Sequence, residues 1–325
     1  PFFHGGSRLM ATESQIQRAF LSGVRDIVDA SRYGPLRDAI ARGDYEGALR
    51  AVDIDDAAFD TMRALILETY AQGGVDQMTG IRWPVNVRWN SATPQAEAYA
   101  RDVVGQHITL ISEDSRAAVR WTMGDGIALG RSNSRIALDI VGRVGASGAR
   151  EGGIVGLNAR QAEWVANARR YLETGDYAAW DRLGLADKRF RFSADNPPTP
   201  AQIDRAVQLY SNRQLRSRGL TIARTERGLA LNMGAMEGAR QGADKAGIPV
   251  GALRKKWVHA GVHKHERYTH VALGQSPSRP FLDPFTTNGY SCQMPHDPSL
   301  PASEVINCQC RVKVSVPRNW RSLGG

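Results

Sequence analysis

Hydrophobic positions recur with a helical period over most of this chain. In ATESQIQRAFLSGVRDIV, starting at Ala11, the apolar residues Ile16, Phe20, Val24, Ile27 and Val28 follow steps of three and four. Thr12 and Gln15 form the capping-box pattern that opens a helix. Gly34-Pro35 is expected to break it. YEGALRAVDIDDAAFDTMRALILETYAQGG reads as one or two further helices, ended by Gly73-Gly74. Residues 76–91, with Trp83, Pro84 and Trp89, read as a loop or short strand. A second helical block covers roughly residues 94–150. Thr93-Pro94 offers it a capping hydroxyl and a first-turn proline. GDGIALGRSNS interrupts this block, and RIALDIVGRVG resumes it up to Gly145.

In the third block Asn158 is the expected N-cap, followed by Val165, Ala168 and Leu172 at helical spacing. Thr199-Pro200-Ala201-Gln202 combines cap, first-turn proline and a Gln three residues on. AQIDRAVQLYSNRQLRSRG reads as an amphipathic helix ending at Gly219. LTIARTERGLALNMGAMEGARQGADKAG reads as another, ending at Gly247. From Trp257 the texture changes. KKWVHAGVHKHERYTHVALG and INCQCRVKVSV are short and β-rich, and RVKVSV alternates as a half-buried strand does. The pattern predicts a mainly α protein with a small β-containing C-terminal module, an α+β class, and an elongated helical N-terminal part.

Composition narrows the picture. The 325 residues suffice for one or two domains with real cores. At 42% hydrophobic and 23% charged residues the chain resembles ordinary globular proteins. No apolar run approaches the ~20 residues that span a bilayer. PFFHGGSRLM lacks the features of a signal peptide, and FFHGGSRL reads as a backbone hook. No membrane partner is expected, and synthesis in a cytoplasm is. The net charge is +9, carried by 36 Arg and only 6 Lys. Arginine forks suit phosphates and carboxylates, although a GC-rich genome enriches arginine equally. Residues 181–260 hold 15 Lys and Arg against 7 Asp and Glu, which favours an anionic partner. Arg213, Arg216 and Arg218 crowd one predicted helix end and are the candidate DNA contacts.

The candidate chemistry lies near the C-terminus. Five of the seven histidines, His259, His263, His265, His270 and His296, share a 52-residue stretch with all three cysteines, Cys292, Cys308 and Cys310. Thiolate and imidazole are zinc's preferred ligands, so His270, Cys292, His296, Cys308 and Cys310 are the candidate metal ligands. The Cys-x-Cys spacing is tighter than a usual zinc pair. Both cysteines facing one side of a strand and packing as small hydrophobes is the favoured reading. A disulfide from Cys292 is disfavoured in a reducing compartment. No cofactor is expected, zinc being the one candidate. HKHERYTH is not a His-Glu-x-x-His helix, because one extra residue turns His270 to another face. GDGIALGRSNS matches neither the phosphate-loop nor the dinucleotide fingerprint. Arg224 and Glu226 in ARTER fit a structural ion pair better than a catalytic one, and no catalytic residue is assigned. A recognisable helix-turn-helix or zinc finger is lacking.

In order, GGIVGLNARQAEWVANARRYL, IARTERGLALNMGAMEGARQ, KKWVHAGVHKHERYTHVALGQ, FLDPF and MPHDPSLPASEVINCQCRV resemble the phage head-morphogenesis proteins, the Mu F-like minor head proteins, over roughly residues 150–316. The resemblance implies a few-copy structural component, made in the host cytoplasm and placed inside the virion or procapsid near the portal vertex. It would assist head assembly, DNA packaging or DNA delivery. The implied partners are the portal protein, the major capsid protein and the double-stranded DNA genome. Residues 1–150 would be the portal- or capsid-associating region, 151–316 the head-morphogenesis domain and 317–325 a tail. The family pattern falls on Arg224, Glu226, Trp257, Arg267, His270, Gly274, Asn307, Cys308 and Cys310. Some relatives carry a Cys-x-x-Cys just before the glycine, suggesting zinc; this chain has Arg267 and His270 there. Others carry a toxin domain after the final motif, for which the roughly 15 residues after Cys310 leave no room. The rival from another class is a metal-dependent hydrolase or nucleotide-modifying enzyme built on the His/Cys-rich module.

Overall fold

The computed structural model describes residues 11–145, 148–261 and 266–322. FFHGGSRL, His263 and His265 lie outside the described residues. In chain order the helices before the first strands are α1 (Glu13–Ala30), α2 (Tyr33–Ala41), α3 (Tyr45–Val52), α4 (Asp60–Thr79), α5 (Pro94–Ala98), α6 (Gly105–Ala128) and α7 (Asn133–Val141). A π-helical turn over Tyr99–Val104 joins α5 to α6. Strands β1 (Arg143–Val144) and β2 (Arg150–Glu151) follow, then α8 (Ala159–Thr174), α9 (Tyr177–Arg182) and α10 (Pro200–Lys245). The C-terminal module comprises β3 (Arg254–Val258), α11 (Tyr268–Gln275), β4 (Arg279–Pro280), β5 (Phe285–Thr287), β6 (Tyr290–Cys292), α12 (Ala302–Val305) and β7 (Arg311–Ser315). The protein is mainly helical, with its small antiparallel sheets largely in the C-terminal region. Among the described residues no helix is long and apolar enough to cross a membrane.

Local capping chemistry works as the sequence predicts. Thr12 and Gln15 exchange hydrogen bonds of 2.7 and 3.2 Å. Thr93 Oγ1 accepts from Ala96 N, and Asn158 with Gln161 and Thr199 with Gln202 close capping boxes. Each satisfies backbone donors that a helix start leaves open.

Glycine is where the sequence reading departs from the fold. Gly34-Pro35 does not end α1; it lies in the first turn of α2, where proline loses no intrahelical donor. Gly73-Gly74 does not end α4, which continues to Thr79. A Cβ on Gly73 would stand 2.6 Å from Leu231 O, and one on Gly238 would stand 2.5 Å from Gly74 O. These glycines let the backbones of α4 and α10 touch. Residues 124–126 continue α6 rather than interrupt it. A Cβ on Gly126 would meet Ile136 Cγ1 at 2.5 Å, and the break comes at Gly130, whose φ is +65°. α7 stops at Val141, not Gly145, because Gly142 takes a φ of +81° and turns the chain into the β1–β2 hairpin. Gly219 does not divide α10, a single helix of 46 residues. The ~1 kcal/mol that a helical glycine costs is small beside the packing of a long apolar face.

The chain gathers into two compact units. One contains the chain up to Gln17, Met62–Gln106 and everything from Leu220; the other contains Arg18–Thr61 and His107–Gly219. Residue 150 is therefore not a boundary between compact units. The α4–α10 glycine contact ties N-terminal chain to the C-terminal part, within the first unit. The second unit packs Phe20 on Phe59, with ring centroids 5.8 Å apart, and also buries Leu36, Ile40 and Ile136. Its buried Arg169 pairs with Asp204 at 2.8 Å and with Asp139 at 3.6 Å.

Within the first unit, β3 is the centre of a three-stranded sheet, β4-β3-β7. Trp257 faces Val312 and Lys255 faces Val314 across the β3–β7 ladder. β7 alternates buried and exposed positions, as its sequence predicts. Its outer edge is covered by side-chain amides. Gln77 exchanges hydrogen bonds with the Val314 backbone, and Asn232 Oδ1 accepts from Val312 N at 2.8 Å. Capping an edge this way removes a template for strand addition. YTHVALGQ, expected among β-rich segments, forms α11. His270 and Leu273, three apart, are buried on one helical face, and that packing overrides strand propensity.

Candidate functional site

Three of the five candidate metal ligands meet. His270 lies on α11, and Cys308 and Cys310 lie in the extended segment between α12 and β7. The cysteines are not in a strand as expected, yet both sulfurs turn to the same imidazole. Cys308 Sγ is 3.6 Å and Cys310 Sγ 3.8 Å from His270 Nδ1. All three residues are buried, and their ligand atoms lie within 4.8 Å of one another.

Tertiary contacts place each side chain. Asn307 adopts a φ of +57°, a conformation that asparagine tolerates better than most residues, and this turns the chain from α12 into the cysteine segment. Its N–H points at Thr225 Oγ1, 3.4 Å away on α10. Arg267 donates to the carbonyls of Ser303 (2.6 Å) and Ile306 (2.9 Å), which the end of α12 leaves open. Gly274 gives α11 room beside β3, since a Cβ there would lie 2.7 Å from His259 Cβ. Trp257 stacks edge-on against His270 at 4.9 Å and against Phe285 at 5.3 Å. Arg224 pairs with Glu13 at 3.0 Å rather than with Glu226, the partner expected from ARTER. Glu226 is buried near Tyr99, whose hydroxyl it pushes up in pKa after burial itself.

The far side of His270 is more ordered than the sequence suggested. Its Nε2 lies 3.0 Å from Glu304 Oε2, and both groups are buried. Thr287 Oγ1 donates to the same oxygen at 2.8 Å, and Asn288 Nδ2 to the other at 2.7 Å. These hydrogen bonds hold the Glu304 carboxyl below its ordinary pKa against the opposing effect of burial. Glu304 is placed to accept an Nε2–H, and in the neutral tautomer that donates there the Nδ1 lone pair faces the sulfurs. Asn288 and Gly289 form the two-residue turn of the β5–β6 hairpin, with φ of +48° and +83°. Asn-Gly between strand-like runs is the strongest short hairpin signal, and it was the available clue to this side of the site.

The two remaining candidates serve other roles. His296 is fully engaged: Asn232 Nδ2 lies 3.1 Å from its Nδ1, and its Nε2 donates to Cys308 O at 2.8 Å. Burial holds it neutral, with its pKa pushed down to about 3. Cys292 packs in the apolar cluster of Trp257, Leu273, Phe285 and Leu300, and burial pushes its thiol up to about 12. Cys308 and Cys310 belong to the same cluster, so they pack as hydrophobes and face His270 as well. All three cysteines are free thiols. Cys308 and Cys310 share one favourable ionisation: the neighbouring Cys308 thiol holds the Cys310 thiol below its ordinary pKa, while Cys310 and burial together push Cys308 up. A cavity of about 360 Å³ adjoins the cluster, with Arg224, His259, Glu266, Arg267 and Asn307 in its wall. Glu266 precedes α11, so it shares no helix with His270, in keeping with rejection of the metalloprotease motif.

The proposed DNA contacts do not form one basic face. Arg213 donates to Leu185 O and Ala186 O and pairs with Asp187 at 3.1 Å. Arg218 is buried and pairs with Asp114 at 2.7 Å. Arg216 alone of the three is exposed. Their charges read as surplus in sequence because their acceptors lie on distant segments.

No family model, no curated protein and no solved structure matches this chain.

Proposed function

We propose that the chain is a structural minor head protein of a tailed phage, held inside the procapsid near the portal vertex, with portal and major capsid proteins as its partners. It would assist head assembly, genome packaging or delivery rather than catalyse a reaction. One observation carries the reading. The residues on which the sequence resemblance rests, scattered from Arg224 to Cys310, gather in one compact module and work as its fasteners. Arg267 closes α12, Gly274 admits β3, Asn307 turns the chain, and Trp257 packs on His270. A set of motif residues spent on mutual packing suits a module kept for its shape. Any contact with the genome lies away from Arg213 and Arg218, whose guanidinium groups already hold protein acceptors.

The hydrolase reading has one observation in its favour. Glu304, His270 and the sulfurs stand in the order of orienting acid, base and nucleophile. Both sulfurs are buried, however, and His270 is wedged against Trp257. Genetic complementation separates the readings. Phage lacking this gene should regain infectious particles when supplied with a variant carrying Glu304→Gln, provided that the variant is folded. A yield of infectious particles undiminished by loss of the gene contradicts the proposal.

A further inference from the structure

The Cys-x-Cys segment carries more than packing, and the geometry points to a metal site: His270 Nδ1, Cys308 Sγ and Cys310 Sγ bind one zinc ion whose fourth position faces the adjoining cavity. This inference is independent of the head-protein reading.

Distances come first. A tetrahedral ion with bonds of about 2.3 Å to sulfur and about 2.0–2.1 Å to nitrogen separates those ligands by about 3.6 Å. The observed nitrogen–sulfur separations are 3.6 and 3.8 Å. Simple packing of thiols against an imidazole sets no such requirement on both sulfurs at once.

The support behind the ligands comes second. A metal-bound histidine usually donates its other ring N–H to a carboxylate, which fixes the tautomer and the ring. Here Glu304 receives it at 3.0 Å and is itself held by Thr287 and Asn288. Three buried polar side chains are thus arranged to keep one nitrogen lone pair aimed at two sulfurs. On the other side, the buried Trp257 indole N–H has no hydrogen-bond partner among the described residues, and its ring packs on His270 at 4.9 Å. Charge balance points the same way: two thiolates and one divalent ion sum to zero, a combination that a buried site tolerates and a lone dithiolate does not.

The ligand set selects the metal class. Two thiolates and an imidazole at tetrahedral spacing suit zinc and disfavour magnesium or calcium, which want oxygen. Among the described residues three ligands leave one position, which the cavity adjoins. His296 and Cys292 do not complete the site, because each is committed elsewhere.

The test uses the full chain, purified under reducing conditions without chelator and dialysed. Elemental analysis should return one zinc per chain. A mercurial reagent should release it in step with thiol modification, read with a chromogenic zinc indicator. Replacement by cobalt should give the intense visible bands of a tetrahedral thiolate-bound ion. Glu304→Gln should keep the site and weaken zinc affinity by ~10–100-fold. The double variant Cys308→Ser, Cys310→Ser should lose the metal; should that variant fail to fold, mercurial release from the natural protein decides alone. A metal-free protein that also takes up no added zinc overturns the inference. So does a Cys308–Cys310 disulfide in the freshly purified chain, or zinc retained by the folded double variant.

Discussion

Replacing Gly238 by alanine sets two physical effects against each other. Helix propensity alone favours the change by about 1 kcal/mol in the interior of a helix such as α10. The structure opposes it. The new methyl would lie 2.5 Å from Gly74 O, 2.8 Å from Gly74 Cα and 3.0 Å from Gly74 C. All three atoms belong to the backbone of α4, so no side chain can swing away. Carbon and oxygen need several tenths of an ångström more, and α4 must shift along its contact with α10. Overpacking of this kind costs about 1–3 kcal/mol, with rigid backbone at the upper end. Subtracting the propensity gain leaves a net loss of about 2 kcal/mol, or roughly 4–8 °C in Tm for a unit of this size. Gly105→Ala is the matched control. It is also helical, its Cβ would meet only Ala100 O at an ordinary 3.7 Å, and it should stabilise by up to about 1 kcal/mol. Urea denaturation followed by circular dichroism reads both. Gly238→Ala as stable as the natural chain would refute the claim that these glycines exist for helix contact.

Lys255 is buried between Phe281 and Phe285 and donates to Gln293 O at 2.9 Å, and burial pulls its pKa from 10.5 to about 8. Below about pH 8 both folded and unfolded chains carry the proton. Between 8 and 10.5 only the unfolded chain does, so this residue makes stability rise with pH, by on the order of 2 kcal/mol across that window. Lys255→Met should flatten the rise, and an unchanged slope in denaturation curves at pH 8 and pH 10 would contradict it. Arg218→Ala should lower stability by about 1–3 kcal/mol, since it breaks a pair with Asp114 from the buried side, and should leave DNA retention unaltered. A selective loss of DNA binding with stability intact would restore Arg218 to a nucleic-acid face. His296→Phe should cost about 1–3 kcal/mol in thermal unfolding, because it strands Cys308 O in the core, while Asn232 Nδ2 keeps Pro295 O and Cys310 O; a neutral result would show that water reaches that carbonyl.

What the sequence disclosed follows how local each interaction is. The caps at Thr12, Thr93, Asn158 and Thr199 were legible because donor and acceptor sit within three residues. The half-buried β7 was legible from its alternation. Gly73-Gly74 misled because glycine reads equally as a stop and as a close approach, and only the element opposite decides which. Glu304 went unassigned although it stands in the PASEV segment. Its role depends on His270, 34 residues earlier in the chain, and on a hairpin turn that delivers Thr287 and Asn288. The arginines of α10 were read as a free basic face for the same reason, since their acceptors are far away in sequence. The joining of His270 to Cys308 and Cys310 was anticipated; their separation from Cys292 and His296 depended on packing that spacing does not encode.

The most direct test of the head-protein proposal is the protein inventory of purified phage particles and procapsids, with copy numbers measured by quantitative mass spectrometry against the portal protein. A minor head protein gives a small, constant ratio to the portal in procapsids, whether or not it later leaves with the genome. Its absence from both procapsids and mature particles contradicts the proposal.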